Sequence, residues 1–267
     1  YSIIYKNYSI DYITDSLYTY NADVDRNAIV AAKIDSKADA VLNNVGSYVG
    51  NYLESAGAGI SDALEAYKAA PSKQGYAINA AVANAPRVEV EAGKWYTLRN
   101  VARSNGTLYM TPETSRFTAA TADAADADQL FSFTATGTEG VYNLYNGNFR
   151  LYLGKLGANE TQPAVHKTPE DAGLYTVISS ASGQSALACQ NKTGGNAGVH
   201  LAGDNVRLVP WTTGAEASLW YIQPVDSFKV TLPEAGYAVM CVPFAVQLPE
   251  GIKAYAALGR VEVDGTE

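Results

Sequence analysis

Hydrophobic positions change their period near residue 87. Before it, Ile34, Ala38, Val41, Leu42, Val45, Val49 and Leu53 recur every three or four residues, the spacing of one buried helix face. Asp23 or Asn21 is placed to cap the start. Gly57 and Gly59 interrupt the pattern, and Ile60, Leu64 and Tyr67 resume it as a second short helix. Ser61 lies near its start and Pro71 just past its end. A third helical piece is predicted over 76–84, before Pro86. A small helical hairpin or bundle fits, and so apolar a face must pack on its own partner or on the next domain. Residues 1–20 mix tyrosine with β-branched residues and fit either a strand or an extended arm.

From Arg87 onward, short alternating runs are separated by Gly, Asn, Asp and Thr turns, the texture of an all-β sandwich or barrel. They repeat. Leu130-Phe-Ser-Phe133, Leu174-Tyr-Thr-Val177 and Leu219-Trp-Tyr-Ile222 share one form, and their aromatics at 131, 175 and 220 are 44 and 45 residues apart. Opening strands are predicted at Trp95–Leu98, Val141–Leu144 and Ser185–Ala188. Second strands are predicted at Leu108–Met110, Leu151–Leu153 and Val199–Leu201, and third strands at Arg116–Thr121, Ala164–Lys167 and Val206–Trp211. That gives three four-stranded units, about 93–138, 139–182 and 183–225. Three such units predict a β-trefoil, a six-stranded barrel closed by three hairpins, which leaves no exposed sheet edge. The repeated leucine and aromatic would fill it. A solenoid would need helical or parallel-coil signatures, and three blades are too few for a propeller.

The region 93–225 resembles the ricin-B-type β-trefoil lectins, whose repeats end in Gln-x-Trp. Gln129-Leu-Phe131, Gly173-Leu-Tyr175 and Ser218-Leu-Trp220 are the corresponding triplets, with the glutamine kept once and the tryptophan once. The resemblance implies sugar clefts, one per unit, built from an acid or amide after the first strand and an aromatic near the third. Carried over, the first-strand positions are Asn100, Asn146 and Asn191, and the third-strand positions are Thr121, His166 and Trp211. The third unit has the fullest set, Asn191, Asp204 and Trp211; the second has Asn146, His166 and Asp171. In the first, Tyr109 stands in for the missing aromatic beside Asn100. The chemistry is an aromatic face against the C–H face of a pyranose, with amides, acids and histidine reading hydroxyls.

A further stretch, Gly236-Tyr-Ala-Val-Met-Cys-Val-Pro-Phe-Ala-Val246 followed by Leu248–Tyr255, is similar to a β-rich terminal module of large secreted proteins of gut bacteria. That likeness implies a secreted or cell-surface location and further modules of a larger protein. The segment 226–267 would then be an incomplete module, or one completed by the N-terminal arm.

Charge and composition narrow the function. There are 27 acidic and 19 basic residues, a net charge of -8, which argues against nucleic acid and anionic lipid as partners. The longest apolar run, Tyr237–Val246, contains Pro243 and is too short to span a bilayer. The 19 tyrosines suggest polar surface recognition. Cys189 and Cys241 are the two cysteines; a bond between them and two buried thiols are both open readings.

No nucleophile, phosphate-loop or metalloprotease motif occurs. Cys189 and His200 have no local signature of a catalytic pair, and Glu170 with Asp171 reads as a solvated loop. Asp123, Asp126 and Asp128 lack the glycine and distal glutamate of a calcium loop. No cofactor and no metal is expected. The sequence therefore predicts a multidomain, mainly β chain. Residues 1–90 form an arm and helical hairpin or bundle, 91–225 a β-trefoil, and 226–267 a β-rich segment. The expected function is a non-catalytic, lectin-like module that binds glycans or polysaccharide. The alternative is a structural spacer or protein-interaction module that binds no sugar.

Overall fold

The computed structural model describes residues 26–69, 78–122, 127–203, 206–225, 250–251 and 253. The N-terminal arm, Asp204, Cys241 and nearly all of the predicted C-terminal segment lie outside these residues.

Among the described residues twelve strands run from residue 95 onward: β1 (Trp95–Asn100), β2 (Leu108–Pro112), β3 (Phe117–Thr121), β4 (Phe131–Ala135), β5 (Tyr142–Asn146) and β6 (Leu151–Leu153), then β7 (Val165–His166), β8 (Tyr175–Ser179), β9 (Gln184–Cys189), β10 (Gly198–Leu201), β11 (Leu208–Trp211) and β12 (Leu219–Pro224). Six of them close into a ring, β1–β4–β5–β8–β9–β12 and back to β1, every pair antiparallel. The hairpins β2–β3, β6–β7 and β10–β11 hang from β1, β5 and β9. The result is a closed, trefoil-like barrel, as the repeat implies.

The repeated aromatics Phe131, Tyr175 and Trp220 are fully buried in its core with Leu98, Phe133, Leu144, Leu187 and Ile222. Burying such rings is the largest favourable contribution of each unit. Their polar atoms are met: Trp220 Nε1 donates to Val199 O at 3.0 Å, and the Tyr175 hydroxyl donates to Gly154 O. Phe117 meets Phe131 edge-on at 5.3 Å, and Tyr96 meets Phe133 at 5.4 Å.

Buried amides staple each unit to the one before it. Asn146 Nδ2 donates to Asp128 O and Leu130 O, and its Oδ1 accepts from Phe149 N–H. Asn100 makes the same set to Ala217 O and Leu219 O, accepting from Ala102 and Arg103 N–H. Both side chains are fully buried. In the third unit the register departs from this pattern. Phe131 pairs with Asn146 and Trp220 with Asn100, but Tyr175 pairs with Cys189. Cys189 thus holds the position that the sequence comparison gave to Asn191. Two residues further on, Asn191 makes the staple instead, donating to Ala172 O and accepting from Leu174 N–H. Asn146→Ala should cost about 3 kcal/mol, since it removes three backbone hydrogen bonds made by one fully buried amide. A urea titration showing a loss below about 1 kcal/mol would contradict this role.

The helical region differs from expectation in two places. The first helix, α1 (Arg26–Leu42), ends before Val45, and the second, α2 (Glu54–Ala69), runs through Gly57 and Gly59. Gly57 is needed there for space: a Cβ would lie 2.8 Å from the Val45 side chain. A short helical stretch over 78–83 completes the group, and Ala38, Val41 and Ile60 form one of its two cores. Val49, read from its spacing as a helix-face residue, instead enters the barrel core. Its N–H donates to Ile222 O at 2.8 Å, and Ser185 Oγ donates to its carbonyl at 3.2 Å. The loop is fixed further by Asn51 Nδ2 donating to Ala181 O and by Gly50 N–H donating to Val88 O. A helical period recorded that Val49 is buried, but not against what. No helix among the described residues is long and apolar enough to cross a membrane.

Candidate functional site

Directly paired residues in antiparallel strands project from the same face of the sheet. Each unit therefore carries an equivalent outward row across its last strand, the next first strand and the attached hairpin. The three rows are Tyr221–Arg99–Tyr109–Ala120, Ser132–Tyr145–Tyr152–His166 and Thr176–Ala188–Gly198–Trp211. Their chemistry has diverged.

The second row is aromatic. On its far side Ser132 pairs with Trp95, which extends the row by one strand. Ser132 is small and buried, and the Trp95 and Tyr145 rings approach to 6.4 Å across it, tilted by 49°. Tyr145 and Tyr152 follow at 4.6 Å and 39°. All four, Trp95, Tyr145, Tyr152 and His166, are partly exposed. Burial against its neighbours, then Tyr145 and the Glu170 carboxylate, hold the Tyr152 phenol above its ordinary pKa. It stays a neutral hydrogen-bonding hydroxyl. Gly154 keeps room for His166, since a Cβ there would stand 2.8 Å from Nε2. The row thus offers ring faces, hydroxyls, an imidazole and a nearby carboxylate along one strip.

The first row is covered. Arg99 lies over the Tyr221 ring at 4.4 Å, Tyr48 from the loop after α1 packs on Tyr221 at 4.8 Å, and Arg99 donates to the Tyr48 hydroxyl. Tyr109 stands at the margin of this row, partly exposed. The third row is nearly bare: Thr176, Ala188 and Gly198 are small, and Trp211, 38% exposed, stands alone at its end. His200 lies beside it with ring centroids 6.0 Å apart and bonds Ser218 Oγ through Nδ1. Burial, then Arg103, push the His200 imidazole below its ordinary pKa, so it is neutral at pH 7.

The carried-over residues separate accordingly. His166 and Trp211 do occupy equivalent outward positions; in the first unit that position is Ala120, one residue before the expected Thr121. Asp171 is exposed in the short turn Pro169–Asp171, beside Glu170. Asn100 and Asn146 face inward and have no exposed surface, which corrects their placement in a cleft. Asn191 is partly exposed, with both ends of its amide committed to the staple. Trp95, Tyr145 and Tyr152 were missed. Leu144-Tyr-Asn146 and Leu151-Tyr-Leu153 do carry the alternation that turns each tyrosine outward.

The considered catalytic pair has other engagements: Cys189 is buried with its thiol 3.4 Å from Asn191 Oδ1, while His200 is bonded to Ser218. No cluster of His, Cys, Asp and Glu suited to a metal occurs among the described residues.

No protein-family model matches the chain, and no curated protein matches it. Solved structures do. A GlcNAcα1-4Gal-releasing endo-β-galactosidase from Clostridium perfringens aligns at 18% identity and a TM-score of 0.40, over 52% of this chain and 34% of that one. A Macrolepiota procera ricin B-like lectin in complex with lactose aligns at 19% and 0.42, over 51% of this chain and 98% of that one. A Polyporus squamosus lectin bound to a human-type influenza-binding epitope aligns at 14% and 0.39, over 51% and 50%. This chain spans about a third of the length of the first, nearly all of the second and half of the third.

Proposed function

We propose that this chain is a non-catalytic carbohydrate-binding module of a secreted or surface protein, with its principal contact at the Trp95–Tyr145–Tyr152–His166 row. That row is the observation supporting the reading. Aromatic faces in water are matched by the C–H face of a pyranose, and phenol, imidazole and carboxylate groups at their edges match its hydroxyls. Asp171 beside Glu170 belongs to the same margin. Trp211 with His200 is a lesser contact. Tyr109 is a candidate at the edge of the first row, and Asp204, outside the described residues, is a candidate from the sequence alone. Asn191 acts through the loop it holds.

Each contact of this open kind binds weakly, with Kd on the order of 0.1–1 mM. The test is binding of the purified chain to a broad glycan array, followed by titration of the best ligand. Tyr152→Ala should weaken binding about tenfold or more through loss of the central ring, and Trp211→Ala by less than about threefold. Silence of the wild-type chain across the array would reject the proposal.

A second reading, a structural spacer or protein-interaction module, draws on one observation. The first row, equivalent to the aromatic one, is occupied by Tyr48 from the chain itself. On this reading the surface aromatics serve protein contacts, and a silent array with a captured protein partner would favour it.

A further inference from the structure

We infer that the aromatic row holds an internal stretch of a single, neutral, extended glycan chain. It would grip neither a terminal sugar nor the flat face of a packed polysaccharide. This rests on the carbohydrate-binding reading and goes beyond it in naming the form of the ligand.

Length is the first observation. From Trp95 to His166 the row crosses β1, β4, β5, β6 and β7 in unbroken register. Neighbouring strands are about 4.8 Å apart, close to the advance of one pyranose along an extended chain. The strip therefore matches several consecutive sugar units lying across the strands, and one sugar would use only part of it.

Openness is the second. β7 stands at the end of the strand order, so among the described residues no further strand walls off the His166 end. Two hollows among the described residues lie around Val88 and Glu89, away from Tyr145, Tyr152 and His166. A chain end recognised as such needs a closed pocket that reads its terminal hydroxyl groups. This row has the form of a track.

Twist is the third. Successive rings turn by 49° and 39°. A flat crystalline face would rest on one ring at a time, whereas a single chain can rotate from residue to residue and follow all of them. Charge is the fourth. Two exposed carboxylates, Glu170 and Asp171, sit in the turn that follows β7, and Glu170 acts on the Tyr152 phenol. Like charge there disfavours an acidic glycan.

The test is calorimetric titration of xylo-, galacto-, manno-, cello- and malto-oligosaccharides of one to six units. Microcrystalline cellulose, chitin and oligogalacturonate serve as contrasting probes. For at least one neutral series, affinity should rise about tenfold or more from one to four units and then level off, as successive rings are engaged. Blocking both chain ends should leave binding of the hexamer within about twofold. Trp95→Ala and His166→Ala, at opposite ends of the row, should weaken the hexamer and spare the shortest ligand, with thermal unfolding confirming that each variant is folded. Length-independent binding abolished by Tyr152→Ala would overturn this inference and leave the carbohydrate reading intact. So would loss of binding on blocking chain ends, or preference for the insoluble or acidic probes. Failure of every carbohydrate, the array included, would overturn both.

Discussion

Trp220→Ala is expected to lower the free energy of unfolding by about 4–5 kcal/mol, a large share of the stability of a domain this size. The ring is fully buried at the centre of the barrel. Its removal leaves a cavity among side chains from all three units, which resists collapse because each of the six ring strands is paired on both sides. It also takes away the indole donor to Val199 O. Trp220→Phe should cost only about 1–2 kcal/mol. Phenylalanine and tyrosine already hold the equivalent positions at Phe131 and Tyr175, so the site tolerates their shape. Urea unfolding of the three proteins checks both values, with unchanged m-values expected. A loss below about 2 kcal/mol for the alanine variant would mean that the aromatic layer is not the common core.

Val49→Asp should be comparably severe, at about 3–5 kcal/mol, because it places an unpaired carboxylate in an apolar interior. Unlike Trp220, Val49 belongs to the loop following α1, and the barrel keeps all twelve of its own strands without it. The variant is therefore expected to expose the loop over 43–53 to limited proteolysis. The proposed glycan contact, centred on β5–β7, should persist at temperatures where the barrel still folds. Val49→Ala should cost about 1–2 kcal/mol and leave the loop protected. Loop protection equal to wild type in the aspartate variant would show that Asn51 and Gly50 suffice to hold it.

The repeat was the most legible part of the chain. Three aromatics at nearly equal spacing implied twelve strands because each unit has to bury one large ring, and a buried ring leaves a period. The same logic located His166 and Trp211 at matching outward positions. It failed at Asn191, since the two-residue offset between Cys189 and Asn191 is set by pairing with Tyr175 across the sheet, and counting along one strand cannot reveal it. The tyrosine strip was half legible: alternation turns Tyr145 and Tyr152 outward, but only the hairpin register makes them neighbours. Val49 was misplaced for a related reason. Burial was written in the sequence; the partner, more than 130 residues away, was not.

The closure of the ring also fixes how the molecule bears load. β1 and β12 are antiparallel, so the chain enters and leaves the barrel side by side, where Val225 N–H meets Trp95 O. Tension applied through these two exits would peel the pair apart one hydrogen bond at a time, the geometry that resists force least. The Val49–Ile222 contact changes the path. A pull from upstream of residue 49 reaches β12 first through the inserted loop, which works as a latch and must be drawn out of the apolar interior before the seam is strained. Under such a pull the domain would yield in two steps.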